Sequence, residues 1–439
     1  MFKANDMLIC TKSTVLKLKS ISLFALSILF FQPLMGFQKK KELKFEDTVY
    51  ESEIKTVRMY PEGSSIQSSL APAVAELGQT TKLLLEFDDL RDDADYYFVQ
   101  FIHCNADWTP SDLRANMYLN SFNEFEIEDF EFSSESKTNY VHYKYRLPKF
   151  QSTGNYMAVV YRDRNKEDII LSKRFRVYQN EVGVGGNVLR SSAMGDRLTH
   201  QRIEVTMSYG NLNSIDPRQD FKVVVRQNQR PDMQLMLSPT FIDENSKVIR
   251  YQNLGSENDF LGGNEFRYFD LSTVNFKGRN VMDAGFAANK PFAQLGLDEM
   301  RKDGYFQNLD LNGQYYIRDL EGGGAFAITS EYVSTTFGLK AEKRLTDIYL
   351  LGAFNNWKRD AQSKLKWNAQ NEVYETNILL KQGWYDYSYW SADPTAPNEF
   401  EQSFFETENL YEVFVYFKPI GGRGDILVGY SRIDYNRRR

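Results

Sequence analysis

Tyr140-Val141-His142-Tyr143-Lys144-Tyr145-Arg146-Leu147 decides the fold class. Val141, Tyr143, Tyr145 and Leu147 fall on one face of an extended chain, and Tyr140, His142, Lys144 and Arg146 on the other. Successive strand side chains point to opposite faces, so this stretch reads as a half-buried β-strand. The same period of two sets Leu83, Leu85 and Phe87 against Leu84, Glu86 and Asp88, and recurs through Leu171, Lys173, Phe175 and Val177. Polar turns such as residues 162–168 separate the runs. Aromatic residues make up 15% of the chain, with 32 Phe and 27 Tyr, a supply that suits strands and large packed faces. The expectation is an all-β chain of tandem immunoglobulin-like β-sandwich domains.

Lys12, Lys17 and Lys19, then apolar residues 21–31, Pro33 and Gly36, read as an export signal over residues 1–36, cut before Phe37. The apolar run is short for a membrane helix, and no later run is long enough. Removing Lys3, Lys12, Lys17, Lys19 and Asp6 takes the net charge from −6 to about −9, which disfavours nucleic acid as a partner. Cys104 is then left without a second cysteine, and it is expected as a small buried hydrophobe. Length and breaks suggest an N-terminal sandwich over 37–180, a middle β domain with long loops over 181–344 and a C-terminal early-set, immunoglobulin-like sandwich over 345–439. The glycine-rich residues 182–187 are expected as a flexible join, and residues 110–114 as a helical turn capped by Thr109.

Chemistry-bearing patterns are sparse. The three histidines, His103, His142 and His200, show no metal-ligand spacing, and no nucleophile elbow or phosphate loop occurs. Neither catalysis nor a cofactor nor a metal is expected. His103 reads as a strand-end histidine beside Asn105 or Asp107, and Asp88-Asp89 and Asp92-Asp93 as solvated turn residues. Asn308, Asp310, Asn312, Gly313 and Asp319 match calcium-loop offsets loosely; the rival reading is a hairpin whose Asn312-Gly313 supplies two positive φ angles. Arg423-Gly424-Asp425 matches an adhesion tripeptide, with the glycine read as a turn residue.

Several blocks stand in a distinctive order. They are residues 87–90, Ile102-His103-Cys104-Asn105-Ala106-Asp107-Trp108, residues 153–156, Gly262-Gly263-Asn264-Glu265-Phe266-Arg267-Tyr268-Phe269-Asp270, residues 310–313, 380–385 and 407–411. In this order the chain resembles the plug-protein family of the type IX secretion system of Bacteroidota, from about residue 50 to 430. The resemblance implies a non-enzymatic periplasmic protein of sandwich domains. Its implied partner is the giant outer-membrane translocon barrel, whose periplasmic end it closes by protein–protein contact. The block residues are expected to be structural, with Arg267 paired to Glu265 or Asp270 and the neighbouring aromatics filling a core. Residues 255–269 and 275–292 are the expected contact loops.

Leu350-Leu351-Gly352-Ala353-Phe354-Asn355-Asn356-Trp357 resembles the start of glycogen-binding early-set modules, although Ser388 stands where those modules carry a lysine. That leaves an alternative open: an exported carbohydrate-binding protein with Trp357 and Trp390 as sugar platforms.

Overall fold

The computed structural model describes residues 41–63, 65–210, 212–253 and 255–437, and residues 40–439 form one compact unit. The expected export signal lies outside the described residues. The described strands make six sheets that pair into three sandwiches, so the all-β sandwich class is borne out.

In the first sandwich, strands Ile54–Pro61, Leu83–Asp89, Val141–Arg146 and Asp129–Phe132 form one sheet. Thr48–Val49, Ile169–Tyr178, Gly154–Arg162, Tyr97–Cys104 and Phe125–Glu126 form the other, with Val74–Glu76 added parallel to Ile169–Tyr178. Leu83, Leu85, Phe87, Val141 and Tyr143 point inward from one side and Val99, Phe101, Tyr156 and Phe175 from the other, as the alternation requires. Phe87 stacks on Tyr143 with ring centroids 5.1 Å apart. The short helix in this region is Ala115–Met117, one turn later than expected. The cause is local: Asp107 binds the Thr109 hydroxyl and amide, and Ser111 binds His103, so residues 109–111 are held in an extended turn.

The second sandwich sets Gly183–Arg190, His200–Ser208, Val248–Tyr251 and Phe241–Asp243 against Gln234–Leu237, Phe221–Gln227, Asn409–Phe417 and Ile426–Tyr435. The expected flexible join is therefore an eight-residue strand, paired along its length with His200–Ser208. Gly186 serves close packing: a Cβ there would lie 2.5 Å from Ile433 Cδ1.

The third sandwich lies between the halves of the second in sequence. Arg267–Asp270, Gly383–Ser391, Tyr315–Ile317 and Ile348–Leu351 face a sheet of Val281–Ala287, Lys290–Glu299, Tyr332–Lys340, Val373–Lys381 and Lys366–Asn368. Strands Asn409–Phe417 and Ile426–Tyr435, expected in a C-terminal sandwich, instead complete the middle one, with Val223 opposite Val415. The expected boundary near residue 344 falls inside the inserted third sandwich. Nothing local in the sequence distinguishes an insertion from a serial array, because the alternation is the same in both.

Candidate functional site

The family blocks sit where the sandwiches meet. The inserted sandwich is entered through residues 262–266 and left through residues 400–408, and these two crossings are bonded to each other. Phe404 N donates to Gly263 O at 2.8 Å, Thr407 Oγ1 to Gly263 O at 2.7 Å and Asn264 Nδ2 to Glu401 O at 2.9 Å. Asn409 Nδ2 donates to Gly262 O at 2.8 Å. A Cβ on Gly262 would sit 2.0 Å from Phe404 O, so no larger residue fits that crossing without moving backbone. Gly263 takes φ 68°, the left-handed region open to glycine.

Arg267 anchors this joint with partners other than those expected. Its Nε donates to Glu401 at 2.9 Å and its Nη1 to Asp298 at 2.8 Å, while Nη2 reaches the carbonyls of Glu299 at 2.9 Å and Phe400 at 3.2 Å. Glu265 instead accepts from Tyr305 Oη at 2.5 Å, and Asp270 from Ser272 N at 2.9 Å. In strand Arg267–Asp270 the side chains alternate, so Arg267 and Phe269 turn inward while Asp270 caps its own turn. Of the aromatics, Phe269 lies in the third core, Phe266 packs on Trp357, and Tyr268 stacks on Trp384 with centroids 4.9 Å apart.

Beside this anchor lies a group of carboxyls. Asp310 accepts the amides of Phe266 and Asn312, and Asp386 accepts those of Leu311 and Gly313. Burial, with the nearby Glu265 and Glu408 charges, pushes Asp310 up to about 7 despite those amides. Burial and the charge of Asp310 also raise Asp386. Asn312 and Gly313 have φ 52° and 80° in a turn closed by Gln314 N to Leu311 O at 3.2 Å, so the two-residue turn is present. Only one flank is a strand, Tyr315–Ile317. The calcium-loop pattern fails in space. Asp319 turns away to accept from Thr329 Oγ1 at 2.6 Å and Ser330 Oγ at 3.0 Å, and no acidic or His/Cys group fit for a metal occurs among the described residues.

Of the block His103, Asn105, Asp107 and Trp108, Asn105 reaches across to the second sandwich, while the other three bond or pack within the first. His103 is buried, with Nδ1 2.7 Å from Ser111 Oγ and Nε2 3.2 Å from Thr153 O, so neither Asn105 nor Asp107 orients it. Burial lowers its pKa, which suits a neutral structural imidazole. Asn105 Oδ1 accepts Asp425 N at 3.2 Å, and the buried Asp425 carboxylate accepts Ala106 N at 3.0 Å and Lys222 Nζ at 2.8 Å. The adhesion-like tripeptide thus places its aspartate inside this joint. Tyr416 Oη donates to Asn155 Oδ1 at 2.7 Å across the same seam, where Val74, Ala106, Val224, Phe414 and Leu427 form an apolar cluster. Cys104 is buried and free.

A third seam joins the first and third sandwiches. Asp88, expected in a solvated turn, is 1% exposed and accepts Lys381 Nζ at 2.7 Å, Tyr332 Oη at 2.5 Å and, on its other oxygen, lies 2.6 Å from His142 Nδ1. Asp89 is buried as well, held by Tyr97 Oη at 2.7 Å and Arg91 Nη1 at 3.0 Å. Burial alone would raise the Asp88 carboxyl, but the Lys381 ammonium and His142 outweigh it and hold the pKa down. Burial pulls Lys381 towards the neutral amine; a second acceptor, Ala327 O at 2.6 Å, keeps the ammonium satisfied. Tyr140 Oη to Ser330 O at 3.0 Å, and Lys137 N to Glu331 at 2.7 Å, extend the seam.

Of the expected contact loops, residues 255–269 are mostly taken into the second–third joint, with Phe260, Glu265, Phe266 and Arg267 buried. Residues 275–292 include an edge hairpin, Val281–Ala287 with Lys290–Glu299, turned by Ala288 and Asn289 at φ 49° and 65°. Met282, Phe286 and Leu297 on it and Phe276 beside it are exposed. Trp357 presents no open face to a sugar. It is 4% exposed, with Phe266 at 5.6 Å, the Arg230 guanidinium 4.1 Å over its ring and Gly313 against its edge. Trp390 is half-buried and covered by Arg359 at 4.2 Å.

The fold is three interlocked β-sandwiches, with residues of several sequence blocks bonded where they meet. Residues 54–179 match the family described as Type 9 secretion system plug protein 1st domain. The chain therefore carries that domain, and its resemblance to the type IX secretion plug family is borne out. It is similar to the crystal structure of a hypothetical protein from Parabacteroides merdae, at 28% identity and a TM-score of 0.81, over 89% of this chain and 100% of that one. No curated protein matches the chain. The plug domain points to association with the secretion apparatus in the cell envelope and to a non-catalytic role. Among the described residues no helix is long and apolar enough to cross a membrane.

Proposed function

We propose that this protein sits in the periplasm and closes the periplasmic end of the type IX secretion translocon, the giant outer-membrane barrel, by protein–protein contact. The observation that carries the reading is the treatment of polar groups at the joints. Asp88 of the first sandwich and Lys381 of the third form a buried ion pair, and the buried Asp425 of the second accepts Ala106 N of the first, so opening the first–third seam would strand a charge. Removing one partner of a buried pair costs about 3–5 kcal/mol, so hinge motion between sandwiches is disfavoured. A pore wide enough for folded cargo needs a stopper that does not flex. The exposed edge hairpin Val281–Ala287 and Lys290–Glu299 is the proposed contact element. It offers apolar side chains at an unpaired sheet edge, a surface suited to partner recognition.

Purification of a tagged copy from the native envelope tests the assignment. The reading expects a very large outer-membrane barrel to come with it, and Met282→Asp with Phe286→Asp to reduce that recovery. Recovery of the protein alone from an extract in which the barrel is intact would overturn it.

A further inference from the structure

All three sandwiches contribute to one cleft of about 120 Å³. Its charged lining is lopsided: Arg58, Lys173, Arg174, Arg176 and Arg226 against Asp47. Three of these cations are neutralised. Arg58 pairs with Glu86 at 3.2 Å, Lys173 with Asp47 at 2.6 Å and Arg226 with Glu412 at 2.7 Å. Arg174 and Arg176 have no carboxylate within ion-pair distance among the described residues. Arg174 donates to Phe45 O through Nε at 2.9 Å and also through Nη2, with the Asp47 and Glu46 charges reaching it, and Arg176 Nε donates to Tyr416 Oη at 3.1 Å. Glu412, whose charge reaches Arg176, also accepts Arg226 Nε at 2.9 Å and Tyr430 Oη at 3.1 Å.

Both arginines are held in place. Residues two apart on a strand share a face, and here the two guanidinium carbons lie 4.4 and 4.8 Å from the Trp108 ring. Phe414 packs on Arg176 from the second sandwich at 4.2 Å. Arg176 is 3% exposed, so its charge is largely removed from bulk water. Burial accordingly drives its pKa down. A buried cation without a counter-charge is costly, whereas the N–H groups of a stacked guanidinium that no protein acceptor takes can bind an oxyanion. Gln229, Gln234 and Asn356 in the same lining add polar groups.

We infer that this cleft is a binding site for a small oxyanion, a phosphate or carboxylate group, with Arg174 and Arg176 as the two charged ligands. The volume admits a phosphate or a short carboxylate and excludes a nucleotide. Because Arg176 faces the second sandwich and the cleft is walled by all three, a bound anion ties the body together. It does so independently of whether the protein closes a pore.

Thermal unfolding of the full chain tests the site, with chloride exchanged for inorganic phosphate, or for succinate, at constant ionic strength and pH. A ligand at ten times its Kd raises the Tm of a unit of this size by about 2 °C. The expected result is a saturable rise with phosphate or succinate in the wild type, absent in Arg174→Gln and in Arg176→Met. The anion that gives the rise identifies the source. Arg174→Gln is the variant to rely on if Arg176→Met fails to fold. Equal melting in all three salts, or a rise that persists in Arg174→Gln, would overturn the inference.

Discussion

Substituting Arg267 by alanine measures both the anchor and the locking of the sandwiches. The change removes ion pairs to Glu401 and Asp298 and two bonds to backbone carbonyls. It leaves Glu401 with Tyr389 N at 2.9 Å and Arg301 at 3.5 Å, and Asp298 with the hydroxyls of Tyr387 and Tyr389 at 2.7 and 2.9 Å. Those remaining partners limit the penalty, so the expected cost is about 3–5 kcal/mol, the usual range for breaking a buried pair. How far the Tm moves depends on what melts together. Unfolding entropy is about 2.1 cal/mol/K per residue. If residues 40–439 melt as one unit, the shift is about 4–6 °C; if residues 267–400 melt alone, it is about 11–18 °C in a separate transition. The buried seams predict the smaller shift in a single transition. Differential scanning calorimetry of wild type and Arg267→Ala decides. An unchanged Tm would show that the anchor carries no stability, and a split transition would show that the sandwiches are not locked.

Other outcomes follow from the same geometry. Lys381→Met takes the ammonium from Asp88, leaving it Tyr332 Oη and His142 between the first and third sandwiches, and should lower stability by about 3 kcal/mol, read from the urea midpoint. Gly262→Ala forces a Cβ onto Phe404 O; a cost of about 1–3 kcal/mol is expected, with faster proteolysis at the crossings. The Asp310 carboxyl, raised to about 7 in the fold, holds its proton more tightly folded than unfolded, so its contribution is full below pH about 4 and is lost as pH rises through 7. Glu265, Asp386 and Glu408 are raised too and act with the same sign. Asp310→Asn should therefore flatten the fall in stability between pH 5 and 8 by up to about 3 kcal/mol, measured as urea midpoints of the two proteins across that range.

The inward face of each strand was legible in the sequence, and the outward face was not. Leu83, Leu85 and Phe87 fill the core as their spacing requires, yet Glu86, Asp88 and His142, read as a polar face, are buried under a neighbouring sandwich. A charged residue marks a surface in the sequence whether water or another module covers it. Glu401, Asp298 and Lys381 were missed for the same reason: each lies far along the chain from its partner, and nothing local announces the pairing. Residues 275–292 looked like a loop because its turn is Ala288-Asn289, without glycine, although Asn289 tolerates the positive φ it adopts. Within the blocks at 103–108 and 262–270, Asn105, Ala106, Gly262, Gly263 and Asn264 bond across chain crossings. Their glycines and asparagines are the residues that tight chain crossings demand, and this composition was the usable signal.

Electrical conductance of the purified translocon barrel in a planar bilayer, with this protein titrated from the periplasmic side, tests pore closure most directly. The account predicts that the open conductance falls stepwise to near zero with saturable dependence on protein, and that Met282→Asp with Phe286→Asp weakens the block. Conductance that stays open at saturating protein, in a barrel shown to bind it, would contradict the account.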